Sequence, residues 1–150
     1  MARVYITSAN VRVLFTNDSA VGTGCPNKHD DVLLVQFFLK VISEGPDAAR
    51  YKPVNKPALT CDGLWGSNSQ AYLNQYISAN SAANPGAPLK DDGRVDPVVN
   101  GRFMGSLSGT LYTILALNNS YMKARGLSSL SDITTDAAFP TVLRPSLKVQ

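Results

Sequence analysis

His29 is the only histidine in the chain and Glu44 the only glutamate. One imidazole cannot build the two- or three-histidine ligand set of most catalytic zinc sites. One glutamate leaves aspartate to supply any general acid and base pair. Glu44 precedes Gly45-Pro46 at a helix end, a wet position for a carboxyl that needs an apolar pocket to act as an acid. Asp91, Asp92 and Asp96 crowd one loop. The twelve-residue calcium pattern and its closing glutamate are absent there, so these read as turn and capping residues.

The nucleophile motifs fail in the same way. Gly105-Ser106-Leu107-Ser108-Gly109 resembles a hydrolase elbow only until its central residue is read, which is Leu107. Ser120-Tyr121-Met122-Lys123 fits S-x-x-K, but that serine belongs at the start of a helix and here falls near an end, with no SDN or KTG partner. No catalytic residue, metal site or cofactor is expected. Cys25 and Cys61, the only cysteines, match no metal spacing. They read either as two small core residues or as one bridge between loops, stabilising by roughly 3 kcal/mol.

These residues are carried by 150 residues and 16.1 kDa, the size of a single domain over 1–150. Hydrophobic residues make up 44% and charged residues 17%, enough for a real core and too few charges for a disordered chain. The net charge is +3, with basic residues scattered from Arg3 to Lys148. Phosphate binding wants a concentrated patch, so nucleic acid is not the expected partner. No apolar run reaches the length of about 18 residues that spans a membrane. Met1 to Ile6 lack the apolar run of a signal peptide. The expectation is synthesis in the cytoplasm without a cleaved signal, and action in the periplasm or outside the cell after export by another route.

Residues 2–15 alternate, with Val4 and Ile6 on one face and then Val11, Val13 and Phe15, which predicts two short strands. Asp30 and Asp31 precede Val32 to Ile42 and supply an N-cap signal and acid for the first turn. That helix stops at Glu44-Gly45-Pro46 and, being apolar on more than one face, should be central. Residues 45–61 read as a long loop. Ser67 or Asn68 can cap a second helix to about Ser78. Ser108 can cap a third, from about Thr110 to Arg125, which Gly126 ends. The tail 127–150 reads as polar and then extended. Asp62-Gly63 and Asp92-Gly93 each mark a turn before a helix, an echo too slight on its own to define a repeat.

Three segments together resemble a peptidoglycan-binding-domain-like family. Asn27 to Leu39, with Asp30-Asp31-Val32 and Val35-Gln36, is similar to that family's opening helix. Leu59-Thr60-Cys61-Asp62-Gly63-Leu64-Trp65-Gly66-Ser67-Asn68-Ser69-Gln70-Ala71 is similar to its second segment. Asp92-Gly93-Arg94-Val95-Asp96-Pro97, followed by Thr110 through Leu117-Asn118, is similar to its close. Ser69 stands where the family commonly has threonine, and the insert at 98–108 is longer than usual.

The resemblance implies a mainly α, compact three-helix domain over 22–125, with an N-terminal arm (1–21) and a C-terminal tail (126–150). It implies a non-catalytic protein with a shallow groove for the peptide or glycan of the bacterial cell wall. In such a domain the loop 62–68 and the first half of the second helix border the groove. The ligand-binding set is then Asp62, Gly63, Trp65, Gly66, Asn68, Gln70 and Tyr72. Gly63 and Gly66 would let the backbone turn and leave amide donors exposed, Asp62 would hold the turn, and Tyr72 would offer a flat wall. Trp65 reads as a core plug or a sugar platform. Two alternatives stand beside wall binding: a protein–protein or accessory component of a phage-derived or secretion apparatus, and a wall hydrolase of unrecognised type. Residues 139–149, apolar at Val142, Leu143, Leu147 and Val149, are expected to pack with the arm, on the core, or against a partner chain.

Overall fold

The computed structural model describes residues 3–7, 12–98, 112–127, 130, 133–144 and 148–149. The alternating N-terminal segment forms two antiparallel strands, β1 (Arg3–Thr7) and β2 (Arg12–Thr16), with Val4 opposite Phe15. A short strand β3 (Val21–Gly22) leads into helix α1 (His29–Glu44). One further turn of helix, α2 (Ala48–Tyr51), precedes the long helix α3 (Ser67–Ala83), strand β4 (Arg94–Val95) and helix α4 (Thr113–Arg125). Two 3₁₀ turns, Ile133–Thr135 and Thr141–Leu143, come before the last strand, β5 (Lys148–Val149). The protein is mainly helical, as its patterning predicts.

Helix α1 is the axis. Twelve of its 16 residues are buried, on every face, which is what an apolar run without one polar side requires. Phe37 and Phe38 both meet Tyr121 of α4, at ring centroid distances of 5.3 and 5.6 Å. Phe139 from the tail packs edge-on against Phe37 at 5.2 Å. Burying each of these rings contributes about 1.5–3 kcal/mol. The buried cluster includes Phe15 from the arm and Ile133, Phe139 and Leu143 from the tail, so residues outside 22–125 fill the same core.

The two ends also pair with each other. Strand β5 runs parallel to β1, with Arg3 beside Lys148 and Val4 beside Val149, in a sheet ordered β2-β1-β5. The outer edge of β2 is met by α4. Asn118 accepts from the Phe15 N–H at 2.9 Å and donates to the Phe15 carbonyl at 2.8 Å. A second small sheet pairs Val21 with Val95 and Gly22 with Arg94.

The helix starts differ from expectation. Lys28, not Asp30 or Asp31, is the cap of α1, and it caps without a side-chain bond. Asp31 is instead fully buried in the first turn. Its two oxygens accept from the Asp18 N–H at 2.8 Å and the Ser19 N–H at 3.0 Å, stapling the preceding loop to the helix. Gly66 rather than Ser67 or Asn68 caps α3, which runs five residues past Ser78. Tyr112 precedes α4, and Ser108, Thr110 and Leu111 lie outside the described residues. Gly126 ends α4 in the left-handed region, φ 64°, and Leu127 donates back to the Met122 carbonyl at 2.9 Å. Among the described residues no helix is long and apolar enough to cross a membrane.

Candidate functional site

The predicted loop begins with Asp62-Gly63. Asp62 Oδ1 accepts from the Leu64 N–H at 3.0 Å and so closes the turn, as expected. The Leu64 N–H and the Gln36 amide hold the Asp62 carboxyl below its usual range. Gly63 takes φ 74°, a conformation that only glycine adopts without strain. Its N–H is not an exposed donor: Gln36 Oε1, reaching across from α1, accepts it at 2.9 Å.

Gln36 is 1% exposed, and its amide is fully used. Nε2 lies 3.1 Å from Asp62 Oδ1, 2.9 Å from the Leu64 carbonyl and 3.0 Å from Ser69 Oγ. Gln70, on α3, has the matching role at the other Asp-Gly turn. Its Oε1 accepts from the Thr23 N–H at 2.9 Å, the Thr23 hydroxyl at 2.9 Å and the Trp65 indole at 2.8 Å. Its Nε2 donates to Asn74 and to the Gly93 carbonyl at 2.8 Å. That second turn copies the first: Asp92 Oδ1 accepts from the Arg94 N–H at 3.2 Å and Gly93 takes φ 65°. Each Asp-Gly turn is thus pinned by a helix glutamine, and the segments 27–39, 59–71 and 92–97 are laced together.

The structure places the other expected site residues as follows. Gln70 is committed to five internal hydrogen bonds. Tyr72 is 1% exposed, its hydroxyl donating to the Pro57 carbonyl at 2.9 Å, so it is core rather than groove wall. Gly66 has φ −130° and ψ −174°, extended backbone open to any residue, so no glycine is demanded there. Trp65 is half-buried against the core with its indole N–H spent on Gln70. Asn68 donates to the Pro57 carbonyl at 3.4 Å, and its Oδ1 is buried without a partner among the described residues.

The cysteines are free thiols, so no bridge joins Cys25 to Cys61. They are anchored apart: Cys25 closes the turn after β3 through its N–H to the Gly22 carbonyl, while Cys61 packs against the core beside the Asp62 turn. Burial pushes the Cys61 thiol up to about 11, which keeps it protonated and unreactive at neutral pH. Glu44 has no apolar pocket; it is exposed and paired with Lys40 at 2.8 Å. Among the described residues no three of His, Cys, Asp and Glu gather as a metal-binding set.

Open concave surface lies at the other end of α3. A cavity of about 190 Å³ is bounded by α2 and the far ends of α3 and α4, with Arg50, Tyr51 and Asp47 on one side. A second, of about 530 Å³, continues between α3 and α4 past Asn119. Asn80, Asn84, Ser120 and Lys123 border both. The larger volume lies within the range of about 300–1,000 Å³ usual for small-ligand sites. Tyr76, wholly buried with its hydroxyl pushed up by that burial, shares a 2.8 Å hydrogen bond with Ser120 of the lining.

Sequence reasoning missed this groove. Tyr76 and Asn80 share one face of α3 and Asn84, its C-cap, follows at the same four-residue spacing, but a helix ended at Ser78 hides that face. The usable signal was asparagine itself. Asn80, Asn118 and Asn119 sit inside helices although asparagine is a weak helix former, so their amides are there for something other than propensity. Compared with models of known protein families, with curated proteins and with solved structures, the chain matches none.

Proposed function

We propose that the protein binds peptidoglycan or a wall-derived fragment without cleaving it, and that the ligand lies in the groove between α3 and α4. The groove carries the reading: its boundary sets amides and a hydroxyl, from Asn80, Asn84, Asn119 and Ser120, and the cation of Lys123 beside apolar Ala87, Ala116, Met122 and Leu127. Such a lining suits a ligand rich in amides and carboxylates, which is the chemistry of wall peptides and N-acetylated sugars. The choice of the wall rests on the resemblance of residues 27–39, 59–71 and 92–97, whose glutamine-pinned turns support treating them as one unit. Purified protein should sediment with insoluble peptidoglycan, and Asn119→Ala, an exposed change, should reduce the bound fraction. Recovery of all protein in the supernatant would end the proposal. Walls incubated with the protein should keep their turbidity and release no reducing ends.

One observation favours a second reading, an accessory protein that docks on a partner. Leu64 is 69% exposed at the tip of the Asp62 turn, although the turn beneath it is rigidly held. Leu64→Asp should then abolish partner capture while leaving wall sedimentation unchanged.

A further inference from the structure

We propose that Asp92-Gly93 is a site of spontaneous isoaspartate formation in the folded protein, and that the same dipeptide at Asp62-Gly63 is protected by its hydrogen bond to Gln36.

The reaction makes a fixed geometric demand. The backbone nitrogen of the residue after the aspartate attacks Cγ and closes a five-membered succinimide. The hydroxyl of the protonated carboxyl leaves, taking the nitrogen's proton with it as water. Hydrolysis then returns that water. When the ring opens at the main-chain carbonyl, the chain runs on through Cγ and the former main-chain carbonyl becomes the free acid. Glycine is the successor that best permits closure, because no side chain screens its nitrogen. A hydrogen bond from that N–H is a brake, since it must break before the nitrogen can attack.

The chain holds two Asp-Gly pairs, and they differ in this bond. The Gly63 N–H donates to Gln36 Oε1 at 2.9 Å in a buried site. Asp62 Oδ1 is held as well, by the Leu64 N–H at 3.0 Å and Gln36 Nε2 at 3.1 Å. Closure there has to strip the buried amide of Gln36 of partners that water cannot replace. At the second turn the glutamine grips the other side of the peptide unit. Gln70 donates to the Gly93 carbonyl, and among the described residues no acceptor meets the Gly93 N–H. Asp92 is exposed. Its carboxyl meets the Arg94 N–H at 3.2 Å and Lys90 Nζ at 3.0 Å, surface contacts that water replaces at little cost.

The product reaches beyond the turn. It adds one methylene to the main chain between Asp92 and a Gly93 carbonyl fixed by Gln70, one residue before Arg94 pairs with Gly22. The backbones are already close there, since a Cβ built on Gly22 would stand 2.6 Å from the Gly93 carbonyl oxygen. Gln70 also accepts the indole N–H of Trp65, the only tryptophan. Trp65 therefore reports on the state of the Asp92 turn.

The test ages the full chain at mildly acid pH, once folded and once in denaturant. Isoaspartate is counted by enzymatic methylation of its free carboxyl and by tryptic mapping. Asp92 falls in peptide 91–94, Asp62 in peptide 51–90, and Asn100-Gly101, outside the described residues, in peptide 95–102, so the three are scored apart. In denaturant the two aspartates should convert at similar rates. In the folded chain Asp92 should convert about tenfold faster than Asp62, the factor set by one buried hydrogen bond that must break first. Amide hydrogen exchange should be slow at Gly63 and fast at Gly93. The Trp65 indole N–H signal should shift in step with conversion at Asp92. Asp92→Glu, whose longer side chain would have to close a six-membered ring, should stay unconverted in peptide 91–94 and keep its indole signal on ageing. Conversion at Asp62 as fast as at Asp92 in the folded chain, or conversion at Asp92 only in denaturant, would overturn the proposal. An indole signal that shifts equally in aged Asp92→Glu would overturn the link from Asp92 to Trp65.

Discussion

The imidazole of His29 lies directly over the Cα of Gly63: a Cβ built there would collide with His29 Cδ2. The first residue of α1 and the turn before α3 thus meet at a point where a side chain fits only if the ring moves. Gly63→Ala should destabilise by about 1–2 kcal/mol, combining the strain of φ 74° with displacement of the ring. The ring is largely exposed and can swing aside, so the two causes separate. In a His29→Ala background the clash disappears and the backbone strain remains. Denaturant titration of the two single variants and the double variant should show that coupling; strict additivity would mean that the ring does not constrain the turn.

Gln36 is the more costly position. Replacing it with leucine keeps the volume but strips the Gly63 N–H of its acceptor and the Ser69 hydroxyl and Leu64 carbonyl of their donor. Buried groups left without partners cost about 1–3 kcal/mol each, so Gln36→Leu should lose about 3 kcal/mol or more. Its melting temperature should fall further than that of Gln70→Leu, whose partners are nearer solvent. The reverse order would show that the Asp92 turn, not the Asp62 turn, holds the fold.

The contrast between these glutamines and the rest of the expected site shows what residue types can convey. The central helix was legible because Val32 to Ile42 has no polar face, and the arm because its alternation has no other use. The Asp-Gly turns were legible because the aspartate closes the turn by itself. The roles of Gln70 and Tyr72 were not, because spacing on a helix does not say whether a polar atom meets water or another segment of chain. Tyr72 points its hydroxyl at Pro57, fifteen residues away along a loop whose path no local pattern predicts. Asn118 shows the same limit more strongly, since its partner Phe15 is 103 residues away.

Asp136 ties the tail to α4. Burial opposes its charge, but the Tyr121 hydroxyl at 2.7 Å, the Ala138 N–H and the Arg125 guanidinium outweigh that and hold its carboxyl below the usual range. With its pKa lowered by folding, the unfolded chain binds the proton more readily. The stability it contributes is therefore full above about pH 4 and fades as pH falls through the lower folded value. Asp136→Asn should cost about 1–2 kcal/mol at pH 7, the scale of hydrogen bonds to a charged group. It should also flatten the decline of stability below pH 4. Denaturation at pH 7 and pH 3 checks both; a wild-type acid decline in the variant would place the proton uptake elsewhere.

Asn118 substitutes for a missing strand. At the outer edge of β2 its side-chain amide does for Phe15 what a neighbouring backbone would do, accepting the N–H and donating to the carbonyl, while a further bond to the Ile114 carbonyl at 2.6 Å locks the rotamer. The residue is fully buried, so water cannot take over when it is removed. Asn118→Ala should cost about 2–4 kcal/mol, from two unpartnered backbone groups and a small cavity. Asn118→Asp is the sharper probe. At pH 7 it turns a carboxylate toward two carbonyls in a buried site, a repulsive arrangement that raises the pKa of the new acid. Because the folded state then prefers the protonated form, the variant should regain stability as pH is lowered from 7 toward 5, where the acid can donate one hydrogen bond. Wild-type stability would have changed little over that interval. If Asn118→Asp melts like wild type at pH 7, the arm is held by its apolar contacts, Phe15 above all, and the amide is incidental.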